Sequence, residues 1–411
     1  MKKKEKRKIN FFRIGLILLF LFFISVLLFF VKSSSNPSSI QTDSPISSPV
    51  ESLPVETPKQ EAKTITITAI GDIMCHNTQY QDAYLANSDT YDFSYVFEDI
   101  KDRFKQRDLV IGNLETTFAG KKVGYSSYPC FNTPEQLAQN LKDLGIDVLS
   151  TANNHCLDTR YLGIENTLNQ LDTVGISHMG TARSKEEQDK ILIKQVGGMN
   201  LAFLSYTYGT NGIPVPKGKE YCVNLIDKEL MAKQIEQAKQ ERADLIIANV
   251  HWGVEYRLEP TKEQEELATF LFENGVDIIL GSHPHVLEPM EKKQITTVEG
   301  EEKECFVIYS LGNFMSGQTK ENTKDSILLD LTITKSASGK ISIDQIDYTP
   351  IYCYTTKGKS KGFLLLDIQK NLDSFQKGEP SYINTSNVTF FQKELSKIQN
   401  MVSSRMPKVA E

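Results

Sequence analysis

Six short apolar runs, each followed at once by polar or charged residues, constrain the fold of this 411-residue chain more than any other feature. Their length and their content of Val, Ile and Leu predict buried β-strands. The predicted strands are Thr64–Ile70, Leu109–Ile111, Val148–Ser150, Leu245–Val250, Ile278–Leu280 and Phe306–Tyr309. Each strand would deliver polar side chains at its carboxyl end, which is where open α/β sheets bind their ligands.

Helical patterns separate these strands. Arg160–Val174 places apolar residues on one face at three- and four-residue steps, and Asp227–Glu241 and Thr261–Glu273 show a similar pattern. The pair Thr133-Pro134 is a favourable start for a further helix, which Gly145 would end. Strands that alternate with helices predict an α/β layered fold, in which the polar loops converge on a single site.

The carboxyl-terminal part of the chain shows two simpler patterns. Ser326–Thr334 and Lys340–Tyr348 alternate between apolar and polar residues, as the two strands of a hairpin do. Residues 371–411 are polar, with a modest helical stripe of apolar positions. We therefore predict one main domain over residues 63–370 and a polar, helical tail over 371–411.

The amino terminus predicts a membrane anchor. Residues 14–31 (IGLILLFLFFISVLLFFV) carry no charge and would span about 27 Å as a helix, close to the hydrocarbon thickness of a bilayer. Six basic residues precede this run within the first eight positions, which places residues 1–13 in the cytoplasm and the main domain outside the cell. Residues 33–62 are rich in Ser and Pro and are expected to form an extended linker. A cleaved signal peptide is the alternative interpretation.

The charge balance excludes one class of partner. The whole chain has a net charge of −6, and residues 1–32 carry eight basic residues against one acid, so the rest must sum to −13. Nucleic-acid binding requires clustered Lys and Arg to contact phosphates. An ectodomain this acidic is therefore not expected to bind nucleic acid.

Histidines concentrate at the ends of the predicted strands. Five of the six lie there: His76, His155, His251, His283 and His285. Neutral imidazole is the commonest protein metal ligand, and the carboxylates of Asp72 and Glu115 can bridge or cap a divalent ion. A single strand-end His is more often a satisfied polar residue, and Asn153 and Asn154 could merely cap a turn. The set as a whole predicts a metal site, and a serine hydrolase built on Ser282 or Ser310 is the less favoured interpretation.

Six segments resemble, in order and spacing, the CapA family of bacterial capsule-synthesis proteins. They are GDIMCHN, DLVIGNLETTF, STANNHCLD, NVHWGVEYRLEPTKEQ, GVDIILGSHPHV and YSLGNF, between about Thr64 and Tyr348. That family is associated with poly-γ-glutamate production, and its fold is similar to that of calcineurin-like metallophosphoesterases. The resemblance implies a metallophosphatase-like fold, with a layered β-sandwich flanked by helices, and a role in capsule or poly-γ-glutamate biosynthesis or export.

The resemblance also implies roles for individual residues. The metallophosphoesterase plan has two adjacent metal ions held by Asp, His and Asn, with a hydroxide between them as nucleophile. Carried over by position, the implied metal ligands are Asp72, Glu115, Asn154, His251, His283 and His285. His155 would protonate the leaving oxygen. Additional candidates are His76, Asn113, Asn153 and Glu255. The expected cofactor is one or two ions of Mn, Fe or Zn.

Two departures from that plan keep a second function open. Met74 stands where the opening Asp-x-His would place its histidine, with His76 as a substitute candidate, and Asn113 and Glu115 stand where those enzymes have Asp. The first hypothesis is a metal-dependent hydrolase that cuts an ester, amide or phosphoester in a surface polymer. The alternative is a non-catalytic scaffold or polymer-binding subunit of a capsule synthesis complex. We favour the hydrolase, because metal binding alone does not require a leaving-group acid such as His155.

The partners expected under either hypothesis are an anionic surface polymer (poly-γ-glutamate or other capsule material), the membrane and capsule synthase subunits. An acidic ectodomain repels an anionic polymer. Polymer binding would therefore need a bridging metal ion or a local basic patch, for which Lys217, Lys219 and Lys228 are the candidates.

Overall fold

The computed structural model describes residues 61–355 and 362–407. Within these ranges no helix combines the length and the apolar character needed to cross a membrane. The predicted membrane helix at 14–31, the basic segment at 1–13 and nearly all of the linker at 33–62 lie outside the described residues. They therefore remain predictions.

Two mixed β-sheets, a small two-stranded sheet of β2 and β3, and a set of helices make up the described part of the chain. The strands are β1 (Lys63–Ile73), β2 (Tyr84–Leu85), β3 (Thr90–Tyr91), β4 (Leu109–Leu114), β5 (Val148–Ser150), β6 (Ser177–Met179), β7 (Leu192–Val196), β8 (Met199–Thr207), β9 (Leu245–His251), β10 (Ile278–Ser282), β11 (Leu287–Thr296), β12 (Glu302–Leu311), β13 (Asp325–Lys335), β14 (Ile341–Thr355) and β15 (Phe363–Asp367). The helices are α1 (Asn77–Ala83), α2 (Gln136–Leu144), α3 (Arg160–Val174), α4 (Lys185–Asp189), α5 (Lys228–Gln240), α6 (Lys262–Asn274), α7 (Ile368–Lys377) and α8 (Val388–Ser403). The first sheet has the order β15-β14-β13-β1-β4-β5-β6, and the second has the order β11-β12-β10-β9-β8-β7.

The two sheets pack face to face around a shared apolar layer, with helices on their outer faces. Within strand β8, residues 201–204 are all apolar: Leu201 and Phe203 join the layer between the sheets, whereas Ala202 and Leu204 join the cluster formed with α5 and α6. Successive side chains of a strand point to opposite faces, so a strand buried on both faces needs apolar residues throughout. The α/β prediction is confirmed, and the described layers form a β-sandwich flanked by helices.

The predicted strands are present, and several extend further than predicted. β1 continues past Ile70 to Ile73, and β9 ends at His251 rather than before it. Strand β8 is not among the predicted strands, although it lies inside the second sheet, between β9 and β7. The hairpin prediction is confirmed, because β13 and β14 pair antiparallel over their length.

One helix start was predicted wrongly. Helix α2 begins at Gln136, not at Thr133-Pro134, and Glu135 occupies the position before its first residue. The Thr133 hydroxyl lies 2.7 Å from that of Thr116 and is fully buried, so it is engaged in a tertiary contact and does not cap the helix. Gly145 does end α2, in a left-handed conformation with φ of 108°.

The carboxyl-terminal tail packs on the main domain. The predicted boundary at residue 370 falls inside α7, and α8 buries Phe391, Ile398 and Val402 in the same apolar layer as the two sheets. The Lys397 ammonium of α8 lies 2.7 Å from the Asp325 carboxylate of β13. The tail helix therefore contributes to the core of the described domain.

A buried polar pair joins helix α6 to strand β11. The Gln264 amide donates a hydrogen bond of 2.7 Å to Glu288 Oε2, while Glu288 Oε1 has no hydrogen-bond partner among the described residues. Burial raises the pKa of the Glu288 carboxyl to about 8. The folded chain therefore keeps this proton at pH values where the unfolded chain has lost it. This group should lower the free energy of unfolding by about 1.4 kcal/mol per pH unit as the pH rises from about 4.5 to about 8.

Replacing Glu288 by Gln should remove that pH dependence. The amide keeps the size of the side chain and an acceptor for Gln264 but carries no charge. We expect the variant to exceed the wild type in unfolding free energy by about 2–4 kcal/mol at pH 8 and to match it at pH 5. Urea unfolding at the two pH values measures the effect, with the exposed Glu301→Gln as the matched control. Equal pH slopes for wild type and Glu288→Gln would refute the buried-carboxyl explanation.

Candidate metal centre

The carboxyl ends of strands from both sheets meet at one edge of the sandwich. Asp72 of β1 is the register partner of Asn113 of β4, and His251 of β9 is the partner of Ser282 of β10. Gly71 allows the two sheets to approach there, because a Cβ at this position would lie 2.0 Å from the carbonyl oxygen of Gly312. The predicted site residues are thus the last residues of parallel strands or follow them directly.

Two groups of three side chains within this edge have the geometry of metal sites. The first group is Glu115, His283 and His285, and the second is Asp72, Glu115 and His251. In each group one potential ligand atom per residue lies within 4.8 Å of the others. Glu115 belongs to both groups, and its Oε1 lies 3.6 Å from Nε2 of His251 and 3.8 Å from Nε2 of His285. Glu115 is therefore the carboxylate common to both candidate groups.

The unpaired polar atoms of the centre fit a cation. Both carboxylate oxygens of Glu115 and Nδ1 of His283 are buried without a hydrogen-bond partner in the described chain. A buried charge or polar atom without a partner is costly, and most proteins avoid it. A divalent ion would coordinate these atoms. The donor set of imidazole and carboxylate suits Mn, Fe or Zn.

The protonation states of the centre agree with this assignment. Burial, with the neighbouring Asp72 carboxylate, raises the pKa of Glu115 well above its usual range when no ion is present. Burial and the adjacent imidazoles lower the pKa of His251, and burial lowers that of His283 to about 3. Both imidazoles are therefore neutral near pH 7, which is the form that binds metal.

The backbone around the centre is strained. His283, His285 and Tyr256 have φ values of 99°, 59° and 68°, in the left-handed region that non-glycine residues avoid. Each such residue costs about 1–3 kcal/mol and persists only where the surrounding structure enforces it. In this conformation the rings of His283 and His285, on either side of Pro284, lie 5.9 Å from each other.

Amide and hydroxyl groups hold the candidate ligands in place. The Asn113 amide donates a hydrogen bond of 2.8 Å to Asp72 Oδ1, and the Asn153 amide donates one of 2.7 Å to the carbonyl of Leu114. Asn154 Oδ1 lies 2.9 Å from His251 Nε2, and Ser282 Oγ lies 3.0 Å from His251 Nδ1. Ser282 thus lies beside His251 in space. In this arrangement its hydroxyl orients His251.

His155 forms a pair with an acid that the sequence did not single out. Its Nδ1 lies 2.8 Å from Oδ2 of Asp158, which also accepts a hydrogen bond of 2.6 Å from the Phe131 N–H. Its Nε2 lies 3.5 Å from the Asn211 amide, and Asn211 in turn accepts a hydrogen bond from Asn154. His155 and Asp158 are three residues apart within NNHCLD, and a tight turn brings their side chains together. This spacing is the sequence feature that could have revealed the pair.

Tyr208 is a second residue that the sequence did not reveal. It follows β8 directly, and its ring lies 4.6 Å from that of His283 and stacks over His251 at 6.2 Å. Its side chain is 48% exposed, so it forms a wall of the site that solvent reaches. Only the pairing of Thr207 with His251 across β8 and β9 places it there.

Several other predicted residues lie beside the centre or away from it. His76 is the N-cap residue of α1, and its Nδ1 accepts a hydrogen bond of 3.0 Å from the Gly317 N–H. It belongs to neither metal group. The Glu255 side chain is exposed and lies outside both groups. The Lys219 ammonium lies over the Tyr161 ring of α3 and that of Lys228 over the Phe270 ring of α6. These two lysines therefore contact different helices.

Comparisons with known proteins agree with the motifs. Residues 66–318 match the family described as bacterial capsule synthesis protein PGA_cap. The PGA biosynthesis protein CapA of Bacillus subtilis (strain 168) is 29% identical over 298 residues, covering 71% of this chain and 74% of that protein. The capsule biosynthesis protein CapA of Bacillus anthracis is 27% identical over 326 residues, covering 74% of this chain and 76% of that protein.

Among solved structures, the NAD nucleotidase of Haemophilus influenzae is similar, with a TM-score of 0.45 and 14% identity. The alignment covers 83% of this chain, which spans only about three fifths (61%) of the nucleotidase. A likeness this distant does not inform activity. The family match, in contrast, extends over more than half of the sequence and includes the candidate site. The chain belongs to the bacterial capsule synthesis protein family PGA_cap.

Proposed function

We propose that this protein takes part in the synthesis or export of a poly-glutamate or related anionic capsule polymer, as a metal-dependent hydrolase with a metallophosphatase-like site. The names of the Bacillus relatives support the biological role. The observation that carries the chemical role is Glu115, a buried carboxylate with no hydrogen-bond partner in the described chain, shared by two groups of candidate ligands. The apolar run at 14–31 supports a location on the outer face of the membrane.

The residues around the centre divide the chemistry between them. The ion or ions would be held by Asp72, Glu115, His251, His283 and His285, together with Asn154, whose amide oxygen lies 2.9 Å from His251 Nε2. A divalent ion supplies a Lewis acid that polarises the scissile group and compensates negative charge in the transition state. These ligands are already positioned by strand ends and by the turn around Pro284, so little reorganisation is needed on binding.

His155 would act as the general acid. Asp158 would accept a hydrogen bond from the Nδ1–H of His155. This contact orients the ring so that Nε2 faces the amide of Asn211. A protonated Nε2 there can donate its proton to the departing oxygen or nitrogen. The Asp158 carboxylate would also stabilise the positive charge of the protonated imidazole, as the Asp of a Ser-His-Asp triad does.

A polymer-binding subunit is the second candidate function. Met74 occupies the position of the missing histidine and is buried, and His76 is engaged by Gly317, so neither adds a ligand to the Asp72 group. A weaker site of this kind would favour binding an anionic polymer through a bridging ion over cutting it.

Hydrolysis assays separate the two functions. We would load the protein with Mn²⁺, Fe²⁺ or Zn²⁺ and offer γ-glutamyl peptides, poly-γ-glutamate and alkyl and aryl phosphoesters. The hydrolase proposal expects turnover of at least one class that is lost with a chelator. Chelator-sensitive binding of poly-γ-glutamate, without cleavage of any substrate under any metal, would contradict the hydrolase and support the binding subunit.

A further inference from the structure

An aromatic ring and an ammonium group lie together beside the candidate metal centre. The ring of Tyr256 is 6.1 Å from that of His285, and the Lys320 Nζ lies 3.6 Å from the centroid of the Tyr256 ring. The Tyr256 N–H donates a hydrogen bond of 2.8 Å to the carbonyl of Pro284, between the two candidate histidine ligands. This pair is therefore attached directly to the turn that carries His283 and His285.

The loop that carries Tyr256 is held in an unfavourable conformation. A bulky residue with φ of 68° is a rare outlier, and such strain is concentrated at functional sites. Gly253, in the same loop, also has a positive φ, and a Cβ there would lie 2.8 Å from the side chain of Gln264. The loop thus packs against Gln264 on one side and is hydrogen-bonded to Pro284 on the other, and the Tyr256 ring is half-buried.

The segment that carries Lys320 is also connected to His285 through side-chain hydrogen bonds. His285 Nδ1 lies 3.2 Å from Asn313 Oδ1, and the Asn313 amide donates a hydrogen bond of 3.0 Å to Gln318, two residues before Lys320. The Lys320 side chain is exposed and forms no ion pair within residues 61–355 and 362–407, so the Tyr256 ring is its partner there. A cation–π contact leaves most of the ammonium free to donate hydrogen bonds.

The acidic residues beside this pair in the chain are exposed to solvent. Glu255 precedes Tyr256 and Glu321 follows Lys320. Tyr208 forms a second wall of the site through its ring contact with His283. Lys320 is the cation that contacts the Tyr256 ring, and that ring lies beside the candidate ligand His285.

We propose that Lys320 and Tyr256 anchor an anionic substituent of the substrate next to the reacting bond, so that the site selects compounds with a carboxylate or phosphate beside that bond. This inference rests on the proposed function, because it takes the metal centre as the place of reaction. It goes further in assigning the specificity to two residues outside the candidate ligands. A carboxylate and a phosphate share the chemistry that an ammonium group recognises.

Binding of two small anions to the full-length chain tests the proposal. We would titrate inorganic phosphate and, separately, glutarate into the metal-loaded protein and follow binding by calorimetry. Lys320→Gln should weaken binding of at least one anion about tenfold, with unchanged metal content, and Lys320→Arg should restore it. The control is Lys340→Gln, which removes the same charge from the exposed turn between β13 and β14, at their ends remote from the site. Phosphate binding alone or glutarate binding alone would identify which anion the anchor accepts.

The outcomes separate this inference from the proposed function. If the metal-loaded wild type binds an anion and Lys320→Gln binds it equally well, the anchor is refuted while the metal centre stands. If the wild type holds no metal but still binds an anion that Lys320→Gln loses, the anchor stands and the metal-dependent hydrolase fails. A metal-loaded wild type that binds neither anion also overturns the anchor.

Discussion

Replacing Glu115 by Gln is expected to remove most metal binding and, at the same time, to stabilise the metal-free protein. Glu115 is fully buried, and neither carboxylate oxygen has a hydrogen-bond partner in the described structure. Gln has the same shape without the charge that makes the position a strong ligand. We expect metal affinity to fall by at least about 100-fold, because the residue belongs to both candidate groups.

The stability effect of Glu115→Gln has the opposite sign because no ion compensates the carboxylate in the metal-free chain. The raised pKa of Glu115 means that ionising it opposes folding, so metal-free stability should fall as the pH rises above the value at which the unfolded chain ionises. The variant lacks that loss and should exceed the metal-free wild type by about 1–3 kcal/mol at pH 8. Thermal unfolding with and without chelator measures both effects.

The matched control for this experiment is Glu301→Gln. Glu301 is exposed and belongs to neither candidate group, so the same substitution should change neither metal content nor stability. Loss of metal from Glu301→Gln would instead show that the effect is not specific to the candidate site. If Glu115→Gln keeps full metal content, Glu115 is not the shared carboxylate.

Replacing Asp158 by Asn is expected to lower kcat by about 100- to 1000-fold without changing metal content. Asn keeps an acceptor for the Phe131 N–H, but it no longer provides a carboxylate for His155 Nδ1. Asp158 is a positioning residue, so its loss should act through the proton that His155 donates. His155→Ala should cause a loss at least as large.

The identity of the leaving group distinguishes this role from a structural one. An alkyl phosphate or alkyl amide needs protonation as its bond breaks, whereas p-nitrophenolate leaves without it. The defect of Asp158→Asn should therefore be large on the alkyl substrate and small on the p-nitrophenyl substrate. An equal loss on both substrates would indicate misfolding of the site and would contradict the general-acid assignment.

The fold and most of the site were accessible from sequence for one physical reason. Parallel strands such as β1, β4, β9 and β10 end at the same edge, so polar residues that follow each apolar run must lie near one another. This rule placed Asp72, Glu115 and His251 together without any knowledge of helix packing. The alternation of residues also identified the β13–β14 hairpin.

The remaining features depend on contacts that a sequence pattern does not encode. Thr133 has the composition of a helix start, but its hydroxyl contacts Thr116, seventeen residues away in the chain. Tyr208 follows a strand that ends without His, Asp or Glu, and the pairing of β8 with β9 alone places it beside His283. His76 was a candidate ligand by spacing, yet its position at the start of α1 directs Nδ1 to the Gly317 N–H.

The metal content of the isolated domain tests the central claim most directly. Residues 59–411, which form one compact unit, would be purified without added metal, alongside the double variant His283→Ala, His285→Ala, and analysed by plasma mass spectrometry. The two candidate groups predict roughly one or two equivalents of Mn, Fe or Zn in the wild type and less than about a tenth of that in the variant. Equal metal content in both proteins, or none in the wild type even after reloading, would contradict the assignment of this strand edge as a metal centre.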